Sequence, residues 1–210
     1  MGHTTQTDSS ATAILELRSD LDPELDDRFN NWCDHHHGEL LSLPGVLRAR
    51  RYRRPDGRRG TGRYLTVYDL ESTAVLGTPA FLDHRRTGIP MPEALGPSLV
   101  FERTVATMVG RAGDTSGADA LVRGLVHDRR SGPASLADWL LETGPGPATG
   151  VCLYQPGDRP DAPLVALLDC RSLGGPEAAG GADLLHETVA YRLVFDASSP
   201  RSPADHREPG

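Results

Sequence analysis

The order of the predicted secondary-structure elements constrains the fold of this chain more than any other feature. Short apolar or alternating runs predict strands, and apolar residues spaced three or four apart predict helices. By these patterns the order strand, helix, strand, strand, helix, strand occurs twice within 210 residues. The first set has strands over residues 12–18, 46–52, 64–70 and 99–110, and helices over 22–42 and 72–84. The second set has strands over residues 118–127, 150–155, 164–170 and 188–195, and helices over 135–143 and 176–187.

This order is typical of the ferredoxin-like α+β fold. We therefore predict two ferredoxin-like βαββαβ halves, over residues 12–112 and 117–196, with disordered tails at 1–11 and 197–210. Helices cover one face of such a sheet, and the other face must be buried against another layer. We expect the two sheets to pack face to face within one chain, as a pseudo-dimeric α+β barrel. The protein would then be a monomer or a weak homodimer.

Charge and composition exclude several function classes. The net charge is −7 and there is no broad basic face, so nucleic-acid binding is not expected. Apolar runs are shorter than the roughly 20 residues that span a bilayer, and the N-terminus lacks an apolar signal region. These features predict a cytoplasmic protein without a membrane partner. All 22 basic residues are Arg, which is typical of a GC-rich bacterial genome.

The first predicted helix contains the densest group of reactive side chains, in the run Trp32-Cys33-Asp34-His35-His36-His37. An apolar stripe predicts which side faces the sheet, and its members are Leu25, Phe29, Trp32, His36 and Leu40. Asp34 and His37 are one turn apart, so Asp34 could orient His37 and raise its basicity. Cys33 and His36 have a metal-ligand spacing, but two ligands do not complete a site, and no metal or cofactor is predicted.

The most specific stretch is residues 29–52, which read FNNWCDHHHGELLSLPGVLRARRY. This stretch resembles the EthD-like branch of the dimeric α+β barrel superfamily. In the sequence pattern of that branch, a His lies five residues after a Trp. His37 falls on that position, whereas Cys33 stands where the family pattern has Tyr. The second half keeps a Trp, Trp139, but has Leu140 to Thr143 where Asp and His would stand.

The resemblance implies a ligand pocket between the sheet and its helices, and relatives that include cofactor-free oxygenases, isomerases, cyclases and haem enzymes. In that pocket we expect His37 to act as general base or acid, oriented by Asp34. Arg51 or Tyr68 would stabilise negative charge on the substrate. The side chains expected to contact the substrate are Trp32, His36 and Tyr64. Cys33 does not have the surroundings of a nucleophile.

The function predicted from these residues is that of a cofactor-independent small-molecule enzyme, of cyclase, isomerase or oxygenase type. Its substrate would be an aromatic or polyketide-like intermediate of bacterial secondary metabolism. One alternative is a non-catalytic ligand-binding or partner-assisting protein that uses the same pocket. A second is a haem or metal enzyme, in which His84, His127 and His186 would join His37. We further expect one open pocket per chain, lined by the first helix and the strands at 46–52 and 64–70, and a filled or closed counterpart in the second half, which lacks the polar residues of the first.

Overall fold

The computed structural model describes residues 11–57, 62–115, 118–127, 132–144, 147–157, 159–172 and 185–198. Its strands are β1 (Ala13–Asp20), β2 (Val46–Arg53), β3 (Tyr64–Leu70), β4 (Val100–Gly113), β5 (Ala120–Val126), β6 (Ala148–Pro156), β7 (Leu164–Cys170) and β8 (Leu185–Ser198). The α-helices among the described residues are α1 (Asp26–Leu41), α2 (Pro79–Thr87) and α3 (Pro133–Thr143). Short 3-10 turns occupy Pro23–Leu25, Thr73–Gly77 and Glu93–Leu95.

The eight strands form one closed antiparallel barrel in the order β1-β3-β2-β8-β5-β7-β6-β4. The prediction of two ferredoxin-like halves packed sheet to sheet is therefore wrong. The two longest strands, β4 and β8, account for the difference. Residues 100–107 of β4 pair with β1, and residues 106–113 of the same strand pair with β6. β8 similarly pairs with both β2 and β5. Each long strand thus hydrogen-bonds to one strand from the first part of the chain and to one from the second. The barrel closes through these pairings, and no strand edge is left free.

Two further predictions fall partly outside the described residues. The helix predicted over 176–187 lies in the segment 173–184, which is not described, and residues 185–187 belong to β8. Of the predicted tails, residue 11 is described and residues 197–198 end β8. The division of the chain into halves at 12–112 and 117–196 stays a prediction. Within the described residues, no helix is long and apolar enough to span a membrane.

The inside of the barrel is lined by tyrosines, other apolar residues and two groups of buried ions, and a cavity of about 520 Å³ lies beside one of these groups, at Arg50, Asp69 and Asp169. Tyr52, Tyr154 and Tyr191 belong to the apolar cluster that the inward faces of all the strands form. Arg50 donates to Asp69 at 2.9 Å and to Asp169 at 3.3 Å, and all three side chains are buried. Arg123 and Glu16 form a second buried pair, with 3.0 Å between Nε and Oε1. Charges taken out of water in this way stay ionised only where a partner compensates them.

The helices lie outside the barrel. α3 packs directly on β4 and β6 through the buried Leu136, Ala137 and Leu140. A Cβ at Gly110 would lie 2.6 Å from the carbonyl oxygen of Pro133, so this glycine lets the start of α3 approach the strand backbone. α1 and α2 cover a different part of the wall, where their buried residues contact β1, β2 and β3. Space for a ligand remains on that side.

Candidate active site

A cavity of about 510 Å³ lies between α1, α2 and the outward faces of β1, β3 and β4. Its lining is mostly apolar and aromatic, including Leu15, Leu17, Phe29, Trp32, Leu40, Phe81, Leu99 and Phe101. The polar side chains of the lining include Cys33, His36, His37, Thr66, Tyr68, His84 and Arg103. A few polar groups on an apolar wall are typical of a small-molecule site. β2, which we expected in the lining, contributes no residue to it, and β1 and β4 take its place.

The buried face of α1 differs from the predicted stripe. Phe29, Cys33, His37 and Leu40 are buried, whereas Trp32 and His36 are half-buried at the flank. The buried residues are separated by steps of four, four and three, which place them on one side of a helix just as the predicted stripe does. The spacing of apolar residues alone therefore cannot show which of the two faces is buried. At the flank the rings of Trp32 and His36 stack, with 4.8 Å between centroids. His37, rather than His36, is therefore the histidine that faces the strands.

A buried hydrogen bond joins α1 to β3 at the cavity wall. The Nδ1 atom of His37 lies 2.6 Å from the hydroxyl oxygen of Tyr68. Asp34, the predicted partner of His37, is exposed instead. At 100° per residue, side chains three positions apart point about 60° apart, which is enough to leave one in solvent and bury the other. Among the described residues, Nε2 of His37 has no hydrogen-bond partner.

Burial keeps this pair uncharged near neutral pH. Burial, with the nearby charges of Arg51 and His36, lowers the pKa of His37 to about 3. Burial also raises the pKa of the Tyr68 hydroxyl well above its usual range. The neutral Tyr68 hydroxyl can donate a hydrogen bond to Nδ1 of the neutral histidine. When the ring is in the other tautomer, the hydroxyl oxygen accepts a hydrogen bond from Nδ1–H instead. The pair can therefore keep its hydrogen bond in either tautomer of His37 while both groups stay neutral.

Arg51 lies behind the cavity wall rather than on it. Its guanidinium sits against the rings of Tyr64 and Phe29, at 4.3 and 4.7 Å from their centroids. Among the described residues, its Nε and Nη2 atoms have no hydrogen-bond partner. Tyr64 also lies outside the cavity lining and packs edge-on against Phe29. We predicted that Arg51 and Tyr64 would contact the substrate directly, and neither lies in the cavity lining. Arg51 still influences the site, because its charge helps to lower the pKa of His37.

Cys33 is buried in the lining, and burial raises the pKa of its thiol to about 11. A protonated thiol is a poor nucleophile, which agrees with the expectation from sequence. The three histidines that the haem or metal alternative adds to His37 lie in two different places. His84 lies beside His36, with 5.3 Å between ring centroids, whereas His127 and His186 pair with each other away from this cavity. His127 and His186 therefore do not join His37, as the haem or metal alternative had suggested they could.

The sequence reasoning missed the contribution of α2 and β4. His84 and Phe81 come from α2, and Phe101 and Arg103 come from β4. A signal for α2 exists in the sequence, since Thr78 caps its first turn by accepting from the amide of Phe81 and Pro79 follows at the first helical position. That signal locates the helix along the chain, but nothing local indicates that it lies beside α1.

No protein-family model matches the sequence, and no curated protein is significantly similar to it. Solved structures do match. An anthrone oxidase-like protein is 11% identical with a TM-score of 0.53, over 92% of this chain and 95% of the other. A proposed monooxygenase of Lactobacillus acidophilus NCFM is 8% identical, with a TM-score of 0.52 over 90% and 97%. A mutant chlorite dismutase from Candidatus Nitrospira defluvii is 11% identical, with a TM-score of 0.54 over 89% and 93%. At these identities the likeness shows that the chain shares the fold of these proteins.

Proposed function

We propose that this protein is an oxygenase-type enzyme of the EthD-like branch, acting on an aromatic or polyketide-like molecule of bacterial secondary metabolism. The observation that carries the proposal is the hydrogen-bonded His37–Tyr68 pair in the wall of a mostly apolar cavity. A cavity of about 510 Å³ has the size of a small-molecule site, and its aromatic lining suits a flat ring system. The names of the structural neighbours, anthrone oxidase-like and monooxygenase, favour oxygenation over cyclisation or isomerisation.

The proposed chemistry begins with deprotonation of the substrate. In the tautomer that accepts a proton, His37 carries hydrogen on Nδ1 and donates it to the Tyr68 oxygen, which leaves the lone pair of Nε2 for the substrate. The Tyr68 hydroxyl is then free to donate to a substrate oxygen. Such a donor stabilises the negative charge that develops there as the proton leaves. One histidine and one tyrosine thereby supply both the base and the group that stabilises the anion.

The carbanion or phenolate that results is the reductant of dioxygen in this proposal. For a ketone with a reactive CH₂ group between two aromatic rings, such as anthrone, the balance is anthrone plus O₂ giving anthraquinone plus water. The two electron pairs come from the substrate, and one oxygen atom enters the product. No external electron donor is required. The apolar lining serves to hold the ring system and to exclude bulk water from the reacting carbon.

A second candidate function is ligand binding without catalysis, in the same cavity. Two observations favour it. Nε2 of His37 is fully buried, so the structure gives a substrate no direct contact with that atom. Burial also lowers the pKa of His37 to about 3, which makes the imidazole a weak general base. The catalytic proposal requires the side chains around His37 to move when a ligand enters. The two functions predict the same occupancy of the cavity and differ in turnover.

The experiment that tests the proposal is an aerobic assay with anthrone as the probe. We expect oxygen uptake and anthraquinone formation above the uncatalysed rate, with one O₂ consumed per anthrone and no product under argon. Binding of anthrone without product would favour the second candidate. If neither anthrone nor related hydroxylated ring systems bind or react, that result would contradict a small-molecule site in this cavity.

A further inference from the structure

A cluster of three potential metal ligands lies where α1 meets α2. We propose that His36, Glu39 and His84 form a binding site for a divalent transition-metal ion. Each residue offers one nitrogen or oxygen atom, and these atoms all lie within 4.8 Å of one another. Two of the residues, His36 and His84, also line the cavity described above. A metal held here would therefore stand at the wall of the ligand cavity.

The backbone arrangement supports such a site. His36 and Glu39 are three residues apart on α1, a spacing that helical carboxylate–histidine metal ligands use in other folds. His84 comes from α2, so two helices fix the site between them. The ring of His84 lies tightly against Gly88, where a Cβ would approach its Cε1 atom to 2.5 Å. A glycine at this position is what allows the ring to occupy its place at the end of α2.

The hydrogen-bond pattern is a second, independent observation. Among the described residues, Nδ1 of His36 and Nε2 of His84 are both buried without a hydrogen-bond partner. The side chain of His84 is only 9% exposed. A buried polar atom without a hydrogen-bond partner destabilises the folded state, so two of them in adjacent rings need an explanation. Coordination of a metal would satisfy an imidazole nitrogen of each ring.

Glu39 is already held in a position that suits a ligand. Its Oε2 atom accepts from the amide of Ile89 at 2.9 Å and lies 3.8 Å from Nδ1 of His84. A carboxylate that is oriented by a backbone donor is pre-organised for coordination. The neighbouring cation Arg86 is paired with Asp83 at 3.1 Å, which reduces its repulsion of a bound metal.

Two imidazoles and one carboxylate are the donors of catalytic zinc sites and of non-haem iron(II) sites, in which other positions stay open for water or a ligand oxygen. Bond lengths of about 2.0–2.2 Å place the ligand atoms of such a site about 3–3.5 Å apart. The present separations are wider, so small side-chain rotations must close the cluster around the ion. Sequence reasoning did not reach this group, because it paired His36 only with its neighbour Cys33.

Isothermal titration of metal-stripped protein with Co²⁺ and Zn²⁺ tests the inference without using turnover. We expect one ion per chain, and at least a tenfold weaker affinity in Glu39→Gln and in His84→Ala. Glu39→Gln keeps the oxygen that accepts from Ile89 and so preserves the local fold. The Co²⁺ complex should also show visible absorption bands of a four- or five-coordinate ion, lost in the same variants.

Matched controls are available in this chain. His35→Ala removes an exposed histidine from the same helix, and the double variant His127→Ala/His186→Ala removes the other histidine pair. Both variants should bind Co²⁺ as wild type does. The inference is overturned if wild type binds neither metal, if Glu39→Gln and His84→Ala bind as well as wild type, or if the His127/His186 variant is the one that loses the ion. Each outcome is independent of whether anthrone is oxidised.

Discussion

Replacement of Arg50 with methionine is expected to lower the free energy of unfolding by about 3–5 kcal/mol, which is the usual cost of removing one partner from a buried ionic group. Arg50 is buried inside the barrel and bonds both Asp69 and Asp169. Methionine fills similar volume but leaves two buried carboxylates without their cation. Urea denaturation measures the loss, and the midpoint of thermal unfolding should fall by roughly 2–4 °C per kcal/mol for a chain of this size.

The loss should depend on pH in a defined direction. Burial raises the pKa of Asp169 to about 6 from an ordinary value of 3.8, and Arg50 opposes that rise. Because the folded state holds this proton more tightly than the unfolded chain, the contribution of Asp169 to stability is fully present below pH 3.8. It is lost as the pH rises through about 6. Without Arg50 the pKa should rise further, so the variant is expected to be least destabilised near pH 5 and most destabilised near pH 8.

Arg48→Met is the matched control for this prediction. Arg48 lies two residues away on β2 and forms a two-point ion pair with Asp196, but both side chains are partly exposed. Partly exposed ion pairs contribute less than buried ones, and Arg48 acts on Asp169 only as a more distant charge than Arg50, so this variant should lose clearly less stability than Arg50→Met. Equal losses in the two variants, or a loss in Arg50→Met that does not change with pH, would contradict the role of Arg50 as the counterion of a buried acidic pair.

The second large effect concerns turnover. His37→Gln is expected to lower kcat for the anthrone probe by about 10²–10⁴-fold, the usual contribution of a general base. Glutamine is close in size and can keep a hydrogen bond to Tyr68, so the cavity should hold its shape and KM should change little. Tyr68→Phe removes the donor to the substrate oxygen and should lower kcat by about 10²–10³-fold. Steady-state kinetics with oxygen uptake as the readout separates the two parameters.

His35→Gln, in the exposed position on the same helix, should leave kcat unchanged. The proposed roles of the pair are wrong if His37→Gln turns over anthrone at the wild-type rate. The proposed roles are also wrong if His37→Gln and Tyr68→Phe both raise KM and leave kcat unchanged, because that result indicates that the pair only shapes the cavity.

Local patterns in the sequence located most elements but not their arrangement. β3 and β7 have the predicted bounds, Tyr64–Leu70 and Leu164–Cys170, because seven consecutive buried residues form a strong strand signal. Barrel closure was missed because it depends on β4 and β8 each pairing with two partners far away along the chain. No property of a single strand indicates which distant edge it will join.

The candidate site was predicted in part, for a related reason. The run Trp32 to His37 does contain three side chains of the cavity lining besides Cys33, and Tyr68 lies where β3 crosses α1. The partner of His37 was assigned to Asp34 because a sequence reveals neighbours on one helix. It does not reveal a tyrosine 31 residues later on a strand. His84 was predicted near His37 only in the haem or metal alternative, together with His127 and His186, because α2 and α1 meet only in the folded barrel.

We expect one cavity per chain, the one under α1 and α2, to bind the ligand, and titration with anthraquinone-2-sulfonate tests this expectation. The chain has two tryptophans: Trp32 lines the cavity, whereas Trp139 is on α3 and is 36% exposed. In Trp139→Phe, quenching of Trp32 fluorescence should saturate at one ligand per chain, in agreement with calorimetry. In Trp32→Phe, the remaining fluorescence should change little although the ligand still binds. Two ligands per chain, or quenching that comes from Trp139 alone, would contradict the account.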